Sequence, residues 1–223
     1  MHHGLVMSRP DPTDPDTVLL VDLDGTITDS FTGIANSFRH ALTAVGAPPA
    51  PEAVVAGIAG PPMIDTLREL GLDEATANEA MRAYRARYVD VGWLENSVFD
   101  GMDTLLGDLG ASGRTLAVAT SKNQTTARAI LDHFGLAGHF RVIAGASDDG
   151  TRRHKPDVIA HALAQLDISL DPHTHRPARP AVMIGDRSHD VEGAARFGIP
   201  TILVGWGYAC LLYTSPSPRD ATL

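Results

Sequence analysis

The sequence predicts a doubly wound α/β domain on a parallel sheet, with a helical subdomain inserted after the first strand. Three observations carry that reading. Five short runs are near-continuously apolar and stop at polar or Gly-rich turns: 17–24 (TVLLVDLD), 115–121 (TLAVATS), 142–147 (VIAGAS), 181–186 (AVMIGD) and 201–207 (TILVGWG). That is the pattern of strands buried on both faces. Amphipathic stretches of helical period lie between the later runs, at Gln124–Phe134, Asp157–Leu166 and Asp190–Phe197, which sets up β-α-β-α alternation. The whole interval 32–96, by contrast, shows helical pattern only, far more than one crossover helix requires.

In chain order, residues 1–16 are polar and rich in Pro and Asp and read as a disordered lead-in. The core is expected over 17–31 and 97–209, and the helical subdomain over 32–96. Within the subdomain, Ile34, Phe38, Ala41, Leu42 and Val45 recur at helix spacing, and Pro51 opens a second segment. Ile64, Leu67 and Leu70 mark a third, and Ala75 to Val91 a fourth, with Tyr84, Tyr88 and Trp93 expected in the packed interior. Gly60-Pro61-Pro62 before the third segment suits a helix start. RPARP at 176–180, preceded by His173 and His175, reads as a surface loop. His133, His139 and His161 lack paired ligand spacing and are expected to be structural or exposed. Trp206 and Tyr208 follow the last run and are expected to pack near its carboxyl edge. From Cys210 onward the chain has neither turn chemistry nor helical pattern and resembles a translated sequencing-library adapter, so 210–223 is expected to be a non-native tail.

Composition narrows the function class. The chain has 223 residues, 43% hydrophobic and 20% charged, ordinary for a globular protein and too apolar for a disordered one. Cys210 is the one cysteine, so no intrachain disulfide can form, which fits a reducing cytoplasm. The net charge is −9 with no basic run, which argues against a nucleic-acid polymer or an anionic membrane as partner. No apolar run approaches the ~18–20 residues of a membrane span. A bound phosphate must therefore be held by a local site, and oligomeric state is left open.

The sharpest chemical feature is DLDGTITDS, Asp22 to Ser30, at the carboxyl end of the first strand, the edge where open α/β sheets bind ligands. Asp22 and Asp24, separated by Leu23, would repel one another unless a cation or a shared proton intervened. Gly25 permits a tight turn and Thr26 adds a hydroxyl. The 18 basic residues include only two lysines, Lys122 and Lys155, both near the turns that follow strands. An ammonium is a compact point charge, suited to a place beside a phosphate and a carboxylate.

DLDGTITDS resembles the first motif of the haloacid dehalogenase superfamily, specifically its phosphatases. Thr120 in AVATSKN, Lys155 in RRHKPDV, and Asp186 with Asp190 in MIGDRSHD are similar to its second, third and fourth motifs, in order, over Thr17 to Ala209. The resemblance implies a Rossmann-like core with a helical cap. It also implies a Mg²⁺-dependent phosphomonoesterase acting on a small phosphorylated metabolite, with Asp22 as nucleophile and Asp24 as general acid and base. Asp22, Asp186 and the Asp24 backbone carbonyl would hold the metal, with Asp190 holding a metal water or orienting Lys155. Thr120, the Leu23 and Asp24 N–H groups and Lys155 would hold phosphoryl oxygens, with Gly25, Thr26, Ser121, Lys122, Asn123 and Arg152 as further substrate contacts. ASDDGTRRHKPDVI (146–159) and GIAGPPMIDTLREL (57–70) are similar to segments of the phosphoglycolate-phosphatase-like and 5′-nucleotidase-like members. Arg152 could instead pair with Asp148, and Lys122 and Asn123 could simply begin a helix. A phosphomutase and a non-catalytic binding protein on the same fold are the alternatives. Dehalogenation is the weaker reading, since it needs neither Asp24 nor the metal-binding acids.

Overall fold

The computed structural model describes residues 10–59 and 63–208. Gly60-Pro61-Pro62 and the tail from Cys210, both singled out above, lie outside the described residues. The chain divides into two compact units, the first comprising 10–23 and Gly101–Val204, the second Asp24–Asp100 and 205–208. The division falls inside DLDGTITDS, between Leu23 and Asp24.

The first unit holds a five-stranded parallel sheet in the order β5-β4-β1-β6-β7, made of β1 (Val18–Val21), β4 (Leu116–Asn123), β5 (Val142–Ala146), β6 (Ala181–Gly185) and β7 (Thr201–Leu203). Flanking helices are α5 (Met102–Ala111), α6 (Gln124–His133), α7 (Lys155–Gln165) and α8 (Ser188–Ala195). Strand β1 sits in the middle, pairing Val21 with Val118 on one side and with Ile184 on the other. The chain first builds outward through β4 and β5, then returns to the opposite flank for β6 and β7. That reversal beside β1 is where open α/β sheets form a ligand crevice at their carboxyl ends. Val18, Leu20, Ala117, Ala119, Ala144 and Met183 pack with Val158, Ile159, Ala162 and Leu163 of α7 into one core. Each fully buried Val, Leu, Ile or Met side chain in it contributes roughly 1.5–3 kcal/mol, and each alanine methyl less.

The second unit contains α1 (Phe31–Ala44), α2 (Glu52–Ala56), α3 (Met63–Glu69) and α4 (Glu74–Asp90). Ile34, Phe38, Ala41 and Leu42 of α1 are buried against Val55, Ile64, Leu67, Ala77, Ala80 and Tyr88. Helix α4 is capped by Asp73, whose side chain accepts from the Thr76 N–H at 2.8 Å. Tyr84 and Tyr88 stack at 5.7 Å between ring centroids. Trp93 packs against the same cluster.

Three features depart from the sequence reading. Strand β7 is not buried on both faces: it is one edge of the sheet, with β5 the other, is three residues long, and has Ile202 and Leu203 exposed. An apolar run cannot by itself report whether a strand has one neighbour or two. Helix α5, with Met102 and Leu106 buried, was hidden because its two glycines and short length weaken the helical period. The two-residue strands β2 (Thr28–Asp29) and β3 (Ser97–Val98) pair antiparallel across the second unit, a long-range contact that no local pattern encodes. Among the described residues of the lead-in, 10–16 form an exposed turn whose Pro12 and Thr13 carbonyls accept from Arg114.

Candidate functional site

Parallel pairing brings the carboxyl ends of β1, β4 and β6 together, and the residues just past those ends form a buried polar cluster in the first unit. Asp22 follows β1, Asp186 follows β6, and Asp190 lies on the first turn of α8; all three are buried. One carboxylate oxygen from each lies within 4.8 Å of the others. Lys155, the first residue of α7, is buried beside them. Its Nζ lies 3.0 Å from Asp22 Oδ1 and 2.6 Å from Asp190 Oδ1, and it donates to the Ala119 carbonyl at 3.0 Å.

The hydrogen bonds assign different parts to the acids. Asp190 is fully buried and divided between two tasks: Oδ1 meets Lys155, and Oδ2 accepts from the Arg187 backbone N–H at 3.1 Å. It orients the lysine and closes the start of α8. Asp22 Oδ1 accepts from the Leu23 N–H at 2.8 Å as well as facing Lys155. The Leu23 N–H, expected to hold a phosphoryl oxygen, is thus directed at the Asp22 carboxylate. Asp186 has the Arg187 guanidinium 3.8 Å from its Oδ2.

Among the described residues, three carboxylates gather beside one buried ammonium, with the Arg187 guanidinium 3.8 Å from Asp186. Burial is the largest influence on Asp22 and pushes its pKa up to about 6, although Lys155 opposes the shift. The two carboxylates hold the Lys155 pKa above its usual value against the cost of burying it. Clustered hard oxygen donors suit a hard divalent cation such as Mg²⁺, which needs only one or two protein carboxylates.

Two glycines make this packing possible. A Cβ on Gly193 of α8 would lie 2.6 Å from Lys155 Cγ, and one on Gly185 would run into the Asp190 carboxylate. The only signal for them in the sequence is position: Gly185 immediately precedes Asp186, and Gly193 follows Asp190 by three residues. Replacing Gly193 with Ala should force the lysine stem aside, lowering stability by about 1–3 kcal/mol, the usual cost of overpacking. A denaturant midpoint equal to that of the parent would show that the stem has room.

The other expected site residues are placed as follows. Thr120 is buried next to the Ala119 carbonyl, and its Oγ1 accepts from the Lys122 N–H at 3.2 Å. Ser121 is exposed. Asn123 begins a helix: its Oδ1 accepts from the Thr126 N–H at 3.1 Å, capping α6, and its side-chain amide donates to Asp148. Arg152 does not pair with Asp148; its Nε donates to the Gly145 carbonyl at 2.7 Å and its guanidinium also bonds Gln124 at 2.9 Å.

Asp24, Gly25 and Thr26 belong to the second unit. Gly25 has φ +82°, and its N–H donates to the Thr28 carbonyl at 2.8 Å, closing the tight turn. The Thr26 side chain is fully buried, and its carbonyl accepts from the Trp206 indole at 3.1 Å. The half-buried Asp24 carboxylate accepts from the Ser30 hydroxyl at 2.6 Å.

A family model described as haloacid dehalogenase-like hydrolase matches residues 19–204. The chain belongs to this family.

Several relatives carry names of enzymes that handle phosphoryl groups. The chain is 55% identical over 198 residues to a protein of Mycobacterium tuberculosis named tyrosine-protein kinase PtkA, covering 88% of this chain and 65% of that protein. It thus spans just under two thirds of that relative's length. It is 42% identical over 191 residues to a 5′-nucleotidase of Pseudomonas aeruginosa, covering 85% and 83% of the two chains. Among solved structures, a predicted phosphatase from Clostridium acetobutylicum superposes with a TM-score of 0.77 at 37% identity, over 87% of both chains. These matches place the parallel sheet and its helices in the same hydrolase fold.

Proposed function

We propose that this hydrolase is a Mg²⁺-dependent phosphomonoesterase that works through a phosphorylated Asp22. The observation that carries the reading is the buried cluster of Asp22, Asp186 and Asp190, with Lys155 against Asp22 and Asp190. Asp22 and Asp186, with the Asp24 backbone carbonyl, would hold the metal. Bound there, the ion supplies positive charge that screens Asp22 from the incoming phosphate.

Asp22 acts as nucleophile: a carboxylate oxygen bonds to phosphorus as the bond from phosphorus to the leaving alkoxide breaks. With Oδ1 held by Lys155 and the Leu23 N–H, Oδ2 is the attacking atom. Asp24 donates a proton to the departing alkoxide. It then takes a proton from water as that water attacks the aspartyl-phosphate, releasing orthophosphate and restoring Asp22. Such general acid–base help contributes typically ~10²–10⁴-fold. Lys155 and Thr120 favour the charge that builds on the phosphoryl oxygens. The helical second unit serves as a cap that selects the substrate and excludes water. The substrate is a small phosphorylated metabolite, of the phosphoglycolate or nucleoside monophosphate kind.

The test is a screen of phosphorylated metabolites with and without Mg²⁺, with orthophosphate release as the readout. An additional arm with ATP and a tyrosyl peptide examines the kinase name borne by one relative. Release only with Mg²⁺ supports the reading; transfer to the peptide without phosphate release overturns it.

Metal binding should also depend on pH. Protons and Mg²⁺ compete for Asp22, whose pKa is raised to about 6, so ion-induced thermal stabilisation should grow between pH 5 and pH 7. An equal rise in melting temperature at both pH values would place the ion elsewhere.

A further inference from the structure

We infer that Tyr208 and Ser30 are positioning residues that set the orientation of Asp24, a role resting on the acid–base reading of that aspartate. All three lie in the second unit. Ser30 is 1% exposed, and its hydroxyl donates to Asp24 Oδ1 at 2.6 Å. The Ser30 backbone N–H donates to the Tyr208 hydroxyl at 2.7 Å, and that hydroxyl donates to Asp29 Oδ1 at 3.0 Å. Asp29 Oδ1 also accepts from the Phe31 N–H at 3.2 Å.

The directions of these bonds follow from proton counting. Tyr208 has one proton and gives it to Asp29, so it meets Ser30 as the acceptor of the backbone N–H. The Ser30 hydroxyl proton goes to Asp24, and the Ser30–Tyr208 oxygen separation of 3.4 Å is the long side of the network. A serine that donates to Oδ1 stabilises that oxygen as a bare acceptor. The transferable proton of Asp24 then belongs on Oδ2, and rotation of the carboxyl group is opposed by a short hydrogen bond from a buried hydroxyl. Tyr208 fixes Ser30 in turn, and its ring packs on Phe31 with centroids 6.1 Å apart. The residues after the last strand thus act on a motif at the start of the chain through three hydrogen bonds.

A positioning role for the acid has a signature that a purely structural role lacks. An alkoxide leaving group of high pKa needs the proton from Asp24, whereas p-nitrophenolate leaves with little help. The experiment measures kcat/KM, which reports phosphoryl transfer to the enzyme, for p-nitrophenyl phosphate and for glycerol phosphate. The variants are Ser30→Ala, Tyr208→Phe and Asp24→Asn, with melting temperature followed for each. Ser30→Ala and Tyr208→Phe are expected to lose at least about tenfold more on glycerol phosphate than on p-nitrophenyl phosphate, the same selectivity as Asp24→Asn but smaller. Tyr208→Phe keeps the ring and removes only the hydroxyl. Equal losses on both substrates in these two variants, with selective loss in Asp24→Asn, overturn the positioning role alone. Equal losses in Asp24→Asn as well overturn the acid–base role beneath it.

Discussion

Replacing Asp22 with Asn should abolish phosphomonoester hydrolysis while leaving the fold intact. The amide keeps a carbonyl oxygen that can accept from the Leu23 N–H and from Lys155, which now contact Oδ1 at 2.8 and 3.0 Å. The variant also removes one of three clustered buried carboxylates, so the metal-free protein should melt no lower than the parent. What it loses is the nucleophile: a neutral amide oxygen cannot form the phospho-enzyme. The expected drop in kcat is on the order of 10³-fold or more, as for other nucleophiles removed from a cooperating set. The check is orthophosphate release with p-nitrophenyl phosphate and Mg²⁺, beside a melting curve. A well-folded variant retaining a tenth of the parental rate would remove Asp22 from that role.

Replacing Lys155 with Met should have the larger effect on stability. Lys155 is 4% exposed and meets both Asp22 and Asp190. Without it Asp22 and Asp190 lose the buried ammonium that they share. Removing one partner of a buried ionic group costs about 3–5 kcal/mol. In a domain of this size that corresponds to a fall in melting temperature on the order of 10 °C.

The loss should depend on pH. A carboxyl group with a raised pKa in the folded state retains a proton that the unfolded chain has released. Its contribution to stability therefore falls as pH rises from the unfolded value, about 3.9, through the folded value of about 6 for Asp22. Removing the lysine raises that folded value further, so the deficit of the variant should be smaller at pH 5 than at pH 8. A deficit that is constant with pH would mean that Lys155 supports the fold through packing alone.

The same residues show how far the sequence could be read. The β1 run before Asp22, the helix at 124–134 and the amphipathic face of α1 were legible because each depends on local periodicity. Asp22 and Asp186 stand at the ends of apolar runs, which a parallel sheet aligns, whereas Lys155 stood out through its motif and opens α7 nine residues after β5. The edge position of β7, the β2–β3 pairing and the use of Arg152 to fasten Gly145 and Gln124 were not legible. Each depends on a partner distant in the chain. For Asp190 the resemblance left two tasks open, holding a metal water or orienting Lys155, and only the folded chain sets its oxygens against Lys155 and the Arg187 N–H.

By itself, the order of residues determined the alternation of strands and helices, the inserted helical stretch and which acids stand at strand ends, since these follow from side-chain period and turn chemistry. Only the tertiary structure decided which oxygen of Asp22 is held, why residues 185 and 193 are glycine, and that Tyr208 reaches Ser30 across 178 positions of chain. Those outcomes depend on directional bonds and close packing between segments that folding brings together, and such contacts leave no local trace in the sequence.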